Sequence, residues 1–127
     1  MKFLHSMIRV KNLQKSLDFY QNLLNMSIVK KKRLDDADLY FLEDEDHSAQ
    51  IELTYNDETP ENGYENGNAF GHFAFSVDSM AEFSEKMNSL GYEYLYEPFE
   101  IFTGTVIAFV KDPDGNEIEL IQKAKKL

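Results

Sequence analysis

The sequence predicts an α+β fold, built from two tandem βαβββ modules within a single domain spanning residues 1–127. Three observations predict it. Leu4-His5-Ser6-Met7-Ile8-Arg9-Val10 aligns with Gly71-His72-Phe73-Ala74-Phe75-Ser76-Val77, and Ile51-Glu52-Leu53 with Ile118-Glu119-Leu120, both at an offset of 67 residues (72 − 5 and 119 − 52). Each copy then reads as a strand, a helix and three more short strands. Between the copies, residues 58–67 lie in a polar, acidic stretch with two glycines, Gly63 and Gly67, which reads as a linker. The modules are therefore placed at approximately 1–57 and 68–125. Neither half, at about 60 residues, buries much surface alone, so the halves are expected to pack together or with another chain.

The elements follow in order. Residues 2–10 read as a strand, and Asn12 is a candidate N-cap for a helix whose apolar stripe is Leu13, Leu17, Tyr20 and Leu24. Asn25 ends that helix, because asparagine tolerates positive φ. Three strands are expected near 26–33, 37–43 and 49–55. In the second copy residues 70–77 read as a strand, and Ser79-Met80-Ala81-Glu82 resembles a capping box. Met80, Phe83, Met87 and Leu90 then form a helical stripe terminated by Gly91. Three strands near 92–96, 104–110 and 116–122 close the copy, the last two joined by the turn Asp112-Pro113-Asp114-Gly115.

Composition excludes several function classes. The formal net charge of −10 argues against a sequence-independent grip on nucleic acid or an anionic membrane. No apolar run approaches the roughly 20 residues of a membrane span, and His5 and Arg9 interrupt any signal-peptide core. There is no cysteine, hence no disulfide, thiol nucleophile or thiolate metal site. Hydrophobic residues at 43% suffice for a core, so a cytoplasmic globular protein is expected.

Alternation along the strands puts His5, Met7 and Arg9 on one face, and Glu52, Thr54 and Asn56 on the face opposite Ile51 and Leu53. His72 lies opposite the apolar Phe73, Phe75 and Val77, and Glu119 opposite Ile118 and Leu120. His5, Glu52, His72 and Glu119 thus all point away from the helix-packed faces. Two imidazoles and two carboxylates suit an octahedral divalent ion with open positions: nickel, cobalt, manganese, iron or zinc.

These residues carry a family resemblance. His5 with its flanks, the run Asn12 through Tyr20, Ile51-Glu52-Leu53-Thr54-Tyr55-Asn56, Gly71-His72, and Asp112-Pro113-Asp114-Gly115 with Ile118-Glu119-Leu120 together resemble glyoxalase I (lactoylglutathione lyase) over nearly the whole chain. That family belongs to the vicinal oxygen chelate (glyoxalase/bleomycin resistance) superfamily of paired βαβββ modules. The resemblance implies metal ligands at His5, Glu52, His72 and Glu119, and a divalent metal that is nickel or cobalt, with zinc also compatible. It implies a homodimer in which His5 and Glu52 of one subunit face His72 and Glu119 of the other. The implied reaction isomerises the hemithioacetal of methylglyoxal and glutathione to S-lactoylglutathione through an enediolate. Glu119 would be the base and Glu52 would serve the other stereoisomer. Arg9, about 13 Å along the strand from His5, would meet a carboxylate of the glutathione part, and Asn56 its glutamyl end.

One segment departs from the family pattern. Where the family carries a lysine and paired glycines that grip the glycine carboxylate of glutathione, this chain has Pro98-Phe99-Glu100-Ile101-Phe102-Thr103-Gly104, with Ile101 about where the lysine falls. That leaves room for another thiol. An epimerase, an iron dioxygenase and a non-catalytic drug binder are alternatives on the same fold. The full His/Glu/His/Glu set counts against the last two, since such dioxygenases need three protein ligands and a binder needs none. The basic run Lys30 through Arg33 reads as a solvated strand edge, and His47, among four acidic residues, as part of an exposed hairpin turn. Tyr92, Tyr94 and Tyr96 have period two and read as one strand face, while Phe99 and Phe102 either line the altered segment or simply pack there.

Overall fold

The structure, a computed structural model, describes residues 1–124. The chain divides into two compact units, with the boundary between Glu65 and Asn66. The first unit contains β1 (Ser6–Arg9), α1 (Leu13–Asp18), β2 (Ser27–Arg33), β3 (Ala37–Glu43) and β4 (Gln50–Asn56). Its sheet runs β1-β4-β3-β2, with β1 parallel to β4 and the other pairs antiparallel. The second contains β5 (His72–Ser76), α2 (Met80–Ser89), β6 (Tyr96–Phe102), β7 (Thr105–Lys111) and β8 (Glu117–Gln122). The order there is β5-β8-β7-β6, again with only the first pair parallel. Both units are βαβββ, the expected α+β class.

Caps fix the helices where the sequence places them. Asn12 Oδ1 accepts the Lys15 N–H at 3.0 Å and starts α1. The helix then widens into a π-helical turn, Phe19–Leu23, which the 3.6-residue stripe does not foresee. A regular helix splays adjacent side chains by about 100°. The wider turn is accompanied by full burial of both Phe19 and Tyr20, with Leu23 buried as well. Asn25, at φ 56°, ends the segment. In the second unit Ser79 Oγ accepts the Glu82 N–H at 3.2 Å, and Gln122 Oε1 accepts that of Met80 at 2.6 Å, tying the start of α2 to β8. Met80, Phe83 and Met87 are buried, as are Ile118 and Leu120 of β8.

Two expected strands are corrected. The first is shorter than 2–10 and begins at Ser6, so His5 sits just before it. The strand expected near 92–96 instead occupies Tyr96–Phe102. The tyrosine periodicity misleads because the first two tyrosines serve the helix. The Tyr92 N–H donates to Met87 O at 3.0 Å, and the Tyr94 hydroxyl bonds Ser84 Oγ at 2.6 Å. Only from Leu95, whose N–H reaches Phe109 O at 2.7 Å, does the chain join β7. Pro98 is tolerated because β6 is an edge strand and its missing N–H breaks no second ladder.

Candidate active site

In the first unit Met7 lies opposite Glu52 and Arg9 opposite Thr54, so the ligand candidates share a sheet face, away from buried Val10, Ile51 and Leu53. His5 Nε2 stands 3.1 Å from Glu52 Oε1. The other carboxylate oxygen, Oε2, accepts the Thr54 hydroxyl at 2.7 Å, and Glu52 is only 9% exposed. Across the sheet from Glu52 is Phe41, whose ring meets the His5 ring edge to face at 5.2 Å. Next in that row is Lys30, its ammonium 5.3 Å from the Phe41 centroid.

The second unit repeats the plan. Ala74 lies opposite Glu119, Glu119 opposite Phe109, and Phe109 opposite Tyr96. His72 Nε2 is 3.3 Å from Glu119 Oε1, and its ring packs edge to face on Phe109 at 5.6 Å. Tyr96 takes the place Lys30 holds in the first unit, with its ring 5.8 Å from that of Phe109.

Turn chemistry sets the register of each glutamate strand. Asp112 Oδ1 accepts the N–H groups of Asp114 and Asn116 at 2.9 and 2.8 Å, and Oδ2 the Asn116 side-chain amide at 2.9 Å. Gly115, at φ 84°, completes that turn into β8. Asp44 performs the equivalent task before β4, holding the N–H groups of Ser48 and Ala49 at 2.7 and 3.1 Å. Burial pushes the Asp44 carboxyl up, but the Ser48 hydroxyl and these N–H groups outweigh it and hold the carboxyl below its ordinary value.

The two phenylalanines, which pack edge-on against the candidate histidines, are neighbours that the sequence reading missed. Phe41 and Phe109 are separated by 68 residues (109 − 41), as are Asp44 and Asp112, whereas the ligands repeat at 67. The first hairpin is one residue longer, so a fixed offset slides past them. Counting backward from each aspartate clamp by three residues finds both.

The remaining candidates are placed as follows. Arg9 is exposed on the Glu52 face. Asn56 ends β4, half-buried, and its Oδ1 lies 3.4 Å from the Tyr64 hydroxyl. Ile101 is exposed on β6 within a strand rather than a gripping loop, and Phe99 and Phe102 are exposed beside it. The Glu100 carboxylate accepts the Gly104 N–H at 2.6 Å, closing the β6–β7 hairpin. The run Lys30 through Arg33 does form an exposed edge strand. Its side chains also have specific partners: Lys31 stacks over Tyr40, and Arg33 grips Asp57 at 2.6 and 2.8 Å. His47 stands exposed in the β3–β4 turn, paired with Glu43.

Among the described residues no three His, Asp or Glu side chains converge; the four ligand candidates form two His–Glu pairs, one in each unit. Each pair fits a divalent ion. Donors held about 2.1 Å from one ion at neighbouring octahedral positions are about 3.0 Å apart, close to the observed separations of 3.1 and 3.3 Å.

Comparison with known proteins shows the family. The Glyoxalase/Bleomycin resistance protein/Dioxygenase superfamily matches residues 2–120. Lactoylglutathione lyase of Neisseria meningitidis serogroup A is 45% identical, over 97% of this chain and 91% of its own. Glyoxalase I from Zea mays superimposes with a TM-score of 0.83 at 34% identity, over 97% of this chain; the chain spans 45% of the maize protein's length. The trypanothione-dependent glyoxalase I of Leishmania major gives 0.78 at 35% identity, over 97% of this chain and 87% of its own. None of the described helices is long and apolar enough to cross a membrane. The chain belongs to the Glyoxalase/Bleomycin resistance protein/Dioxygenase superfamily, and within it to the lactoylglutathione lyase (glyoxalase I) enzymes.

Proposed function

We propose that the chain isomerises the methylglyoxal–glutathione hemithioacetal to S-lactoylglutathione in the cytoplasm, using nickel or cobalt held by His5, Glu52, His72 and Glu119. The observation that carries this reading is the matched His–Glu pair on the same sheet face of both units, at 3.1 and 3.3 Å, in a chain whose relatives are lactoylglutathione lyases. As two donors per unit do not complete an ion's shell, the reading joins His5 and Glu52 of one subunit with His72 and Glu119 of the partner subunit in a homodimer.

When bound, the ion supplies Lewis acidity, which acidifies the C–H beside the substrate carbonyl and stabilises the charge left when the proton departs. The chain's own residues do the rest. Glu119 takes the proton from C1 and returns it to C2. The imidazoles of His5 and His72, each packed edge-on against a phenylalanine, hold their orientation while a carboxylate moves. Arg9 receives a carboxylate of the thiol part and Asn56 its glutamyl amine end.

A second reading concerns the thiol alone. Between Tyr96 and Phe102 there is no lysine or arginine, and Ile101 stands exposed where a cation is expected. The Leishmania major neighbour is trypanothione-dependent, so a different thiol is compatible with this fold. The test is thioester formation by metal-stripped protein given methylglyoxal and glutathione, with nickel, cobalt and zinc restored separately. Turnover restored by nickel or cobalt supports the proposal. Tight metal binding without turnover rejects glutathione and moves the search to other thiols, with Ile101→Lys as the variant expected to recover glutathione binding.

A further inference from the structure

Thr54 has no chemical counterpart across the repeat. It lies two residues beyond Glu52 on the same face of β4, is 5% exposed, and gives its hydroxyl to Glu52 Oε2 at 2.7 Å. His5 Nε2 faces the opposite oxygen, Oε1. Both oxygens of Glu52 are therefore engaged. At the 67-residue offset (121 − 54) stands Ile121, on the Glu119 face of β8, with no hydrogen to donate. Among the described residues, Glu119 has a polar side-chain partner only in His72, at Oε1, and its second oxygen is left open.

We propose that Thr54 is a positioning residue: its hydroxyl fixes Glu52 as the carboxylate that stays in place, and the apolar Ile121 leaves Glu119 as the one that moves. The inference rests on the glyoxalase reading for the moving proton, but not for the metal. A hydrogen bond on the outer oxygen stops rotation of the carboxylate and occupies that oxygen as an acceptor. Both effects suit a permanent ligand, whose outer-shell donors orient it, and both hinder a base that must accept a proton from carbon. The two glutamates thus differ in freedom before any ligand arrives.

Three variants test this: Thr54→Val, which removes the hydroxyl at nearly constant shape, Thr54→Ser, which restores it, and Ile121→Thr, which installs it beside Glu119. Metal affinity is read without substrate, by competition of nickel with a chromogenic chelator, and kcat and KM are read with methylglyoxal and glutathione at saturating metal. Loss of an orienting outer-shell partner costs about 10- to 100-fold in affinity, so Thr54→Val is expected to lose that much while Thr54→Ser recovers most of it. Ile121→Thr is expected to keep its nickel affinity and its KM and to lose kcat. Thr54→Val that retains its Tm and binds nickel as tightly as the parent overturns the role of Thr54. Unchanged kcat in Ile121→Thr overturns the freedom assigned to Glu119. Parent protein that binds nickel but makes no thioester rejects the glyoxalase reading alone, and the affinity arm still decides Thr54.

Discussion

The two units share a backbone plan and a row of matched side chains around the candidate ligands, yet they furnish that row differently. In the first, Glu52 is flanked by His5, Phe41 and Lys30 and is further held by Thr54. In the second, Glu119 is flanked by His72, Phe109 and Tyr96 and meets only Ile121 two residues on. Duplication has kept what aims the ligands: a histidine, a glutamate and a phenylalanine at fixed register. It has not kept what restrains the carboxylate. Equal geometry with unequal restraint is what a reaction needs when one carboxylate binds and the other carries a proton.

The sharpest way to break this comparison is to neutralise each glutamate in turn. General-base catalysis by a positioned side chain is worth about 10²- to 10⁴-fold. Glu119→Gln is expected to lose kcat by that order at saturating metal, with Glu52→Gln losing mainly metal affinity. Equal losses of kcat in both variants, with metal occupancy verified, would remove the division of labour. A step down in size come the phenylalanines. Phe41 is buried at 8% exposure and Phe109 only half-buried. Truncating a buried phenylalanine costs about 3–5 kcal/mol, so in urea unfolding Phe41→Ala is expected to reach the low end of that range and Phe109→Ala to fall clearly below it. The reverse order would mean that the second row, not the first, anchors its unit.

Much of this was legible in the sequence because it depends on residues whose chemistry is local. Asn12 and Ser79 cap helices at the positions their side chains dictate, and Asn25 and Gly91 end them at positive φ. Strand alternation put Glu52, His72 and Glu119 on the faces they occupy, while His5 stands just before its strand. What escaped was set by neighbours distant in sequence. Tyr94 left the expected strand because Ser84 and Phe83 of α2 hold it. The π-helical turn answers to two adjacent aromatics entering one core, which no period reveals. Phe41 and Phe109 were hidden by a one-residue difference between hairpins, and Thr54 by the fact that a threonine on a strand is ordinary until its hydroxyl is seen on a carboxylate.

The smallest expected effects lie in the turns that set the register of each glutamate strand. Asp112 is buried and satisfies two backbone N–H groups and an amide, so Asp112→Ala leaves donors stranded and is expected to cost about 2 kcal/mol. Asp44 does a similar job in a more open turn, so Asp44→Ala is expected to cost about 1 kcal/mol. Its carboxyl also adds a pH dependence. A carboxyl held below its unfolded value of 3.8 contributes fully above that value and loses its contribution as the pH falls through the lower folded value. Amide exchange at Ser48 and Ala49 should therefore lose protection, beyond its intrinsic pH dependence, only in strong acid, below about pH 4. Asp44→Asn keeps an acceptor for those N–H groups but cannot titrate, so it should abolish that loss. If the variant loses protection over the same pH range as the parent, a group other than Asp44 controls how Glu52 is presented, and the equivalence drawn between the two clamps fails.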